Sequence, residues 1–167
     1  MRQSRVFRFD RRTSAALSMW LKLNRASASL GHVTTEHLRA AGLTQAQFAV
    51  LETLAFHGPL TMGDLTRKQL ASGGNTTVVV NNLARQGLVD RVRKEKDKRI
   101  ISIVLTANGK KIVRRIIPAY ASLVSRMASV ITPSEQRTLA SLARKLGTRV
   151  RRSDPYLKTR GKPPRKR

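Results

Sequence analysis

Asparagine and threonine side chains between residues 75 and 85 give this chain its clearest chemistry, which is hydrogen bonding to an outside partner. The spacing predicts a helix over about 75–86, capped by Asn75 or Thr76 and ended at Gly87. Its buried side carries Val79, Val80 and Leu83, and its outer side carries Thr77, Val78, Asn81, Asn82 and Arg85. An Asn amide pairs with adenine and a methyl group contacts thymine, so the outer side suits a DNA major groove. An ordinary surface helix with solvated Asn side chains fits the same pattern.

A predicted β-hairpin follows this helix directly. Residues 88–93 alternate apolar and polar side chains, and residues 100–105 are rich in β-branched ones, as paired strands are. The tip between them is charged throughout and reads Lys94-Glu95-Lys96-Asp97-Lys98-Arg99. A helix followed at once by such a hairpin predicts a winged helix-turn-helix, whose tip reaches phosphates or a neighbouring minor groove. A solvated hairpin tip is the alternative interpretation.

The predicted contacts with nucleic acid are of three kinds, which are contacts with base edges, with the minor groove and with phosphates. Thr77, Val78 and Asn81 would meet base edges. Arg99 would enter the minor groove, held in one orientation by the Asp97 carboxylate. The cations assigned to phosphates are Arg85, Lys94, Lys96 and Lys98. Asn75 and Thr76, at the start of the helix, complete the predicted set.

The charge of the chain indicates the same kind of partner. It has 34 Lys and Arg against 9 Asp and Glu, a formal net charge of +25, which favours a polyanion and most simply nucleic acid. Attraction to a membrane surface is the competing interpretation. The sequence has no apolar run long enough for a membrane span and no signal-peptide core, so we expect a soluble cytoplasmic protein. Aromatic residues make up only 4%, which argues against a base-stacking platform for single strands.

The sequence offers little for catalysis or for a cofactor. It has no Cys, which excludes thiol chemistry and cysteine-ligated zinc. His32 and His37 are five residues apart, so they do not share one helical face as a zinc pair would. Neither a nucleophile motif nor a phosphate-binding loop is present. We therefore expect a protein that is not an enzyme and that uses no metal or cofactor.

Helical spacing and turn residues divide the chain into three parts. These are a basic arm at 1–12, a folded domain at 13–148 and a disordered basic tail at 149–167. Within the domain, helices are predicted over about 13–40, 45–57, 61–70, 107–130 and 133–148, and the winged helix-turn-helix over about 43–106. The first helix and the last two carry more apolar surface than one winged domain can cover. This excess predicts a two-fold homodimer.

The order of several motifs resembles the multiple-antibiotic-resistance regulator (MarR) family over roughly residues 14–147. In the hairpin, the resemblance rests on Gly-Leu-Val at 87–89, on Asp97-Lys98-Arg99 and on the Leu-Thr-x-x-Gly pattern at 105–109. Outside the hairpin it rests on GLTQAQFAVLETL (42–54), IIPAYASL (116–123), ITPSEQRTL (131–139) and ARKLG (143–147). The resemblance implies a mainly α (α+β) fold, in which N- and C-terminal helices at about 13–40 and 107–148 form the dimer.

The same resemblance implies a dimeric regulator that binds double-stranded DNA at a pseudo-palindromic operator, in most cases as a ligand-responsive repressor. It also implies a small aromatic effector, bound in a cleft between the dimer helices and the winged domain. The residues expected to line that cleft are Trp20, His32, Phe48 and Leu51, and an ordinary core position is the alternative interpretation for each of them. A non-specific architectural nucleic-acid-binding protein is the alternative function, favoured by the charge and the tail and disfavoured by the Asn-rich helix.

Overall fold

Helices dominate the part of the chain that the structure describes. The computed structural model describes residue 7 and residues 9–69, 73–94 and 97–153, with the backbone alone at 73–74, 94, 97–100 and 149–153. The elements are α1 (Arg11–Ala40), α2 (Gln45–His57), β1 (Leu60–Thr61), α3 (Met62–Gln69), α4 (Gly73–Arg85), β2 (Val89–Lys94), β3 (Asp97–Leu105), α5 (Ala107–Ala128) and α6 (Pro133–Ser153). They fall into two compact units, Met1–Gln45 and Ala46–Arg167. Of the described helices, none is long and apolar enough to cross a membrane.

The first unit is essentially the single long helix α1. Its N-cap is Asp10, whose carboxylate accepts a hydrogen bond from the backbone N–H of Thr13 at 2.6 Å. The helix thus begins before the predicted start at about residue 13, because the Asp10 side chain satisfies a free N–H group of the first turn. At the other end Gly42 adopts a φ of +76°, and the N–H of Leu43 reaches back to the carbonyl of Leu38. This left-handed turn ends the helix.

The second unit contains the predicted winged helix-turn-helix. Helix α2 has the bounds that the sequence predicts, 45–57, and α3 and α4 pack against each other as the helix-turn-helix pair. Strand β1, only two residues long, was not predicted. It pairs antiparallel with β3, with Leu60 opposite Ile103, and gives a three-stranded sheet in the order β1-β3-β2. The mainly α winged fold is thus confirmed.

Helix α4 begins at Gly73, two residues before the predicted start. The predicted cap residues Asn75 and Thr76 therefore lie in its first turn, after Gly73 and Gly74. Its far end follows the prediction. Gly87 has a φ of +67°, and the N–H of Leu88 donates to the carbonyl of Leu83 at 3.0 Å, which turns the chain into β2.

The start of α5 is joined to the end of α4 by a set of short contacts. The Thr106 hydroxyl caps α5 by accepting from the N–H of Gly109 at 3.0 Å, and it also donates to the carbonyl of Gly87 at 2.6 Å. A Cβ on Gly109 would lie 2.0 Å from the Leu88 carbonyl oxygen. Only glycine allows this approach, so the Leu-Thr-x-x-Gly pattern fixes how the root of the hairpin meets α5.

Helix α6 begins at a capping box, at the predicted residue 133. Thr132 and Glu135 bond reciprocally, since the Glu135 carboxylate accepts from the Thr132 N–H at 2.7 Å and the Glu135 N–H donates to the Thr132 hydroxyl at 3.3 Å. The helix then runs to Ser153, five residues beyond the predicted domain limit at 148. Helical spacing thus continues into the basic segment. The rest of the predicted tail, residues 154–167, and most of the predicted arm lie outside the described residues.

The core of the second unit lies beneath the helix-turn-helix and the sheet. Its buried side chains come from α2, α3, α4 and β3 and include Leu51, Leu54, Leu65, Val80, Leu83 and Ile103. The predicted stripe of α4 is confirmed, because Val79, Val80 and Leu83 are all buried. Burial of that stripe fixes which side of α4 faces outwards.

Candidate nucleic-acid interface

The outer side of α4 is a continuous polar strip with one exposed apolar side chain in it. Thr77, Asn81 and Arg85 are exposed and lie four residues apart, so they follow one another along a single helical face. Val78 beside them is 57% exposed, so its two methyl groups lie at the surface within the same strip. The structure therefore brings together the four α4 side chains predicted to contact base edges and phosphate.

Two other predicted contacts on α4 have different surroundings. Asn75 is exposed at the start of the helix. Thr76 is 1% exposed and lies on the same side as Val79 and Val80. This burial contradicts the prediction that Thr76 contacts nucleic acid, and its cause is helical periodicity, since Thr76 comes three and four residues before the buried Val79 and Val80.

Hydrogen bonds within α4 arrange part of its polar face. Arg85 donates from Nη2 to Oδ1 of Asn82, one turn earlier in the helix. Asn82 is half-buried, and this bond holds the Arg85 guanidinium along the helix surface. Arg85 keeps further N–H donors for an anion, because a guanidinium carries five of them.

A residue that the sequence interpretation missed, Arg91 on β2, contacts the same face. Its Nη2 donates to Oδ1 of Asn81 at 2.5 Å. Both side chains are exposed, and strand β2 packs beside α4. The alternation of residues 88–93 predicted that β2 has polar positions, but it gave no signal that one of them would reach Asn81.

The hairpin β2–β3 supplies the predicted wing. The strands pair antiparallel from Val89 opposite Leu105 to Lys94 opposite Asp97, with an irregularity in register between Arg93 and Lys94 near the tip. Lys96 lies outside the described residues, and only the backbone is described for Lys94, Asp97, Lys98 and Arg99. The predicted orientation of Arg99 by Asp97 therefore stays a prediction. The exposed cations on the described part of the wing are Arg91 and Arg93.

The first helix of the pair, α3, is fixed at its N-terminus by a small network. The Thr61 hydroxyl donates to Asp64 Oδ2 at 2.7 Å and accepts from the Asp64 N–H at 3.2 Å. Arg67 also donates to the Asp64 carboxylate. The hydrogen bond from Thr61, and then the charge of Arg67, hold the pKa of Asp64 below its ordinary value. Asp64 is thus ionised at neutral pH and anchors α3 next to strand β1.

The four residues predicted to line an effector cleft do not share one environment. Trp20 is 55% exposed and His32 is exposed as well, both on α1. They are 12 residues apart in one helix, roughly 18 Å along its axis. Phe48 and Leu51 are buried on α2, where the Phe48 ring packs on Tyr120 with centroids 4.5 Å apart. Phe48 and Leu51 thus have core partners already.

A groove in the second unit was not predicted. It has a volume of about 540 Å³ and lies between the end of α2, the end of β3 and the first turns of α5. Its apolar walls are Leu54, Ala55, Pro59, Val104, Leu105 and Val113. Lys110 and Arg114, one helical turn apart on α5, line one side. None of the described lining residues is acidic, so the groove combines an apolar surface with two positive charges.

No metal centre accompanies these features. Within the described ranges, no three His, Cys, Asp or Glu side chains come close enough to hold an ion. What the described α4 face and wing strands offer is hydrogen bonding and positive charge.

Comparison with known proteins relates the whole arrangement to one family. A family model described as "MarR family" matches residues 41–100, the stretch from the end of α1 into the wing. The chain is also similar to YkoM of Bacillus subtilis (strain 168), an HTH-type transcriptional regulator. The two are 31% identical over 132 residues, which cover 79% of this chain and 86% of YkoM.

Solved structures of similar proteins include a member of the same family. A MarR family protein from Bacillus stearothermophilus matches with a TM-score of 0.63 and 28% identity, covering 86% of this chain and 99% of that one. The structure of NadR in complex with 4-hydroxyphenylacetate matches with a TM-score of 0.64 and 25% identity, covering 75% of this chain and 89% of NadR.

Proposed function

Because this chain belongs to the MarR family, whose similar members are transcriptional regulators and not enzymes, we propose that it is a dimeric, ligand-responsive repressor. It binds a pseudo-palindromic operator in double-stranded DNA and acts in the cytoplasm. The observation that carries this proposal is the outer face of α4, where Thr77, Val78 and Asn81 stand exposed above a fully packed helix core. A rigid helix with such a face is what direct reading of a major groove requires.

The dimer is supported by apolar side chains that one protomer leaves uncovered. On α6, Leu139, Leu142 and Leu146 are all exposed and recur every three or four residues, as a helix-packing stripe does. On α1, Trp20, Leu21 and Leu30 are exposed as well. A second copy of the chain would cover such stripes symmetrically. Two protomers would then present two α4 helices to half-sites about one helical turn of DNA apart.

Phosphate contacts would come from the cations around the α4 face. Arg85 on α4 and Arg93 on β2 are exposed, and Lys94, Lys96 and Lys98 stay predicted contacts at the wing tip. Arg99 stays the predicted minor-groove residue, with Asp97 as its orienting partner. Together with the basic segment after residue 148, these charges make affinity steeply dependent on salt, because each phosphate contact releases counterions.

We propose that the effector is a small aromatic acid and that it binds in the groove beside Lys110 and Arg114. The volume of about 540 Å³ falls within the usual range for small-ligand sites. The apolar walls suit an aromatic ring, and the two cations suit a carboxylate. The similar protein NadR has been solved with such an acid, 4-hydroxyphenylacetate. Phe48 and Leu51 are less suited, because they already pack in the core.

Selection of binding sites from a random duplex pool at about 150 mM salt tests the proposal, since that salt screens non-specific binding. The expected result is an inverted repeat with half-sites about ten base pairs apart. Strong binding with no enriched motif would overturn the proposal. It would favour the alternative of an architectural protein that binds nucleic acid through charge, because specific binders prefer their sites by roughly 10³-fold or more.

A further inference from the structure

The Asn81 side chain is contacted by a residue from outside its own helix. Oδ1 of Asn81 on α4 accepts a hydrogen bond from Nη2 of Arg91 on β2, at 2.5 Å. The two residues are ten positions apart and belong to different elements. The contact therefore links the helix proposed to read bases with the first strand of the wing.

The position of Arg91 is set by the sheet. Its backbone pairs with Ile103 of the central strand β3, and Ile103 is 1% exposed. Its N–H donates to the side chain of Asp90 at 2.7 Å. The backbone that carries the Arg91 side chain is thus held in place by the sheet and the core. Arg85 differs, because it bonds Asn82 within α4 and moves with the helix that it belongs to.

The hydrogen bond changes what Asn81 offers to DNA. A free Asn amide pairs with adenine by accepting from the N6 amino group with its oxygen while donating to N7. In this structure the oxygen already accepts from a positively charged donor, and the Nδ2 amino group is turned the other way. A second donor, such as adenine N6, would have to approach the oxygen beside that positive charge. The N–H groups stay available for acceptors.

We propose that Arg91 is a positioning residue that orients the Asn81 amide so that it donates to the guanine edge, O6 and N7, and discriminates against adenine. This deepens the proposed function and rests on it. Guanine is the base whose major-groove edge presents two acceptors side by side. Without Arg91 the amide is free to turn and to pair with adenine in the ordinary bidentate manner.

The first test needs no DNA. The side-chain amide signals of Asn81 are followed by ¹⁵N NMR in the full-length protein and in Arg91→Ala. We expect both Nδ2 proton signals to shift, and we expect Arg93→Ala, on the same strand, to leave them in place. Unchanged Asn81 signals in Arg91→Ala would overturn the inference whatever the protein binds.

The second test is base preference, measured by site selection for the unaltered chain, Arg91→Ala, Arg91→Lys and Asn81→Ala. The chain should select guanine at one position of each half-site, and Arg91→Ala should move that preference towards adenine by about tenfold, the scale of one bidentate base contact. Arg91→Lys keeps one donor and should retain part of the guanine preference. In Asn81→Ala the preference for guanine should disappear. The double variant Asn81→Ala and Arg91→Ala should then show the same base selection as Asn81→Ala alone.

The outcomes separate the inference from the function on which it rests. A motif that Arg91→Ala leaves unchanged, while overall affinity falls, assigns Arg91 to a phosphate and overturns the inference alone. A preference for adenine in the unaltered chain also overturns the inference and leaves the proposed function standing. Failure of the unaltered chain to select any motif overturns the proposed function and the inference with it. Arg93→Ala is the matched control and should weaken binding to all sequences alike.

Discussion

Arg91 on β2 and Asn81 on α4 are joined by a hydrogen bond of 2.5 Å between Nη2 and Oδ1. The bond connects the outer face of α4 with strand β2. A substitution of Arg91 on the strand therefore alters the surroundings of a side chain on the helix. The same relationship explains why the chemistry of Asn81 differs from that of an isolated Asn on a helix, whose oxygen and amino group are both free.

We expect Gly109→Ala to lower the free energy of unfolding by about 1–3 kcal/mol, the usual cost of forcing extra volume into a packed site. The new Cβ would lie 2.0 Å from the Leu88 carbonyl oxygen, and a backbone atom cannot move aside as a flexible side chain can. The α5 cap at Thr106 and the turn at Gly87 would have to shift together. Chemical denaturation followed by circular dichroism measures the change.

Gly31→Ala is the matched control for that substitution. A Cβ at Gly31, within α1, would meet nothing within 4 Å in this protomer. Ala is the better helix former by about 0.5–1 kcal/mol, so this variant should be as stable as the unaltered chain or more so. Equal losses in the two variants would contradict the assignment of Gly109 to a steric contact with Leu88.

Elements with local signals could be predicted from the sequence. The bounds of α2, the glycine turn at Gly87, the Thr106 cap and the Thr132–Glu135 box all depend on residues within a few positions of one another. The apolar stripe of α4 was predictable as well, because a 3.6-residue period shows one side of a helix directly. Its outer face follows once the stripe is known.

Features that depend on tertiary packing could not be predicted. The start of α4 at Gly73 was not predicted, because Asn75 and Thr76 are both residue types that favour an N-cap and so indicate a later start. Strand β1 is too short to have a period and exists because β3 pairs with it. The Arg91–Asn81 bond and the Lys110–Arg114 groove join residues from separate elements, whose approach is decided by the fold.

We expect Leu142→Glu to dissociate the proposed dimer. Leu142 is 58% exposed on α6 and lies in the stripe formed with Leu139 and Leu146. Burying a Leu stabilises an interface by about 1.5–3 kcal/mol, so the dimer dissociation constant should rise at least about tenfold. Sedimentation equilibrium measures it. Ser141→Glu introduces the same charge one position away, outside the stripe, and should leave the dimer intact. A dimer unaffected by Leu142→Glu would exclude this face of α6 from the interface.

We expect the double substitution Lys110→Gln and Arg114→Gln to weaken binding of 4-hydroxyphenylacetate about tenfold or more, because charge-assisted hydrogen bonds contribute about 1.5–3 kcal/mol each. Isothermal titration calorimetry on the full chain gives the affinities. Lys111→Gln is the control, since Lys111 is exposed on the same helix but does not line the groove. A neutral phenol that binds as tightly as the acid would argue against a carboxylate contact there.

Two glutamates should respond to pH in opposite ways. The N–H and then the hydroxyl of Thr132 lower the pKa of Glu135, so its stabilising contribution is present above its unfolded-state pKa and is lost as pH falls through the folded one. Partial burial raises the pKa of Glu52 on α2. Its ionised form is therefore disfavoured in the fold, and stability increases as pH falls through that raised pKa towards the unfolded value.

We accordingly expect Glu135→Gln to have a lower Tm than the parent at pH 7. We expect the Tm of Glu52→Gln at that pH to be higher than the Tm of Glu135→Gln. The two variants remove the same charge, so the change in net repulsion within this basic chain is common to both and cancels in the comparison. The two Tm values should converge once the pH has fallen through the folded-state pKa of both carboxyls, which Glu52 passes first because its pKa is raised and Glu135 last because its pKa is lowered. Thermal unfolding of both variants from pH 3 to 8 measures this. A gap of the same size at acid and neutral pH would assign the difference to packing of the glutamine side chains and not to ionisation.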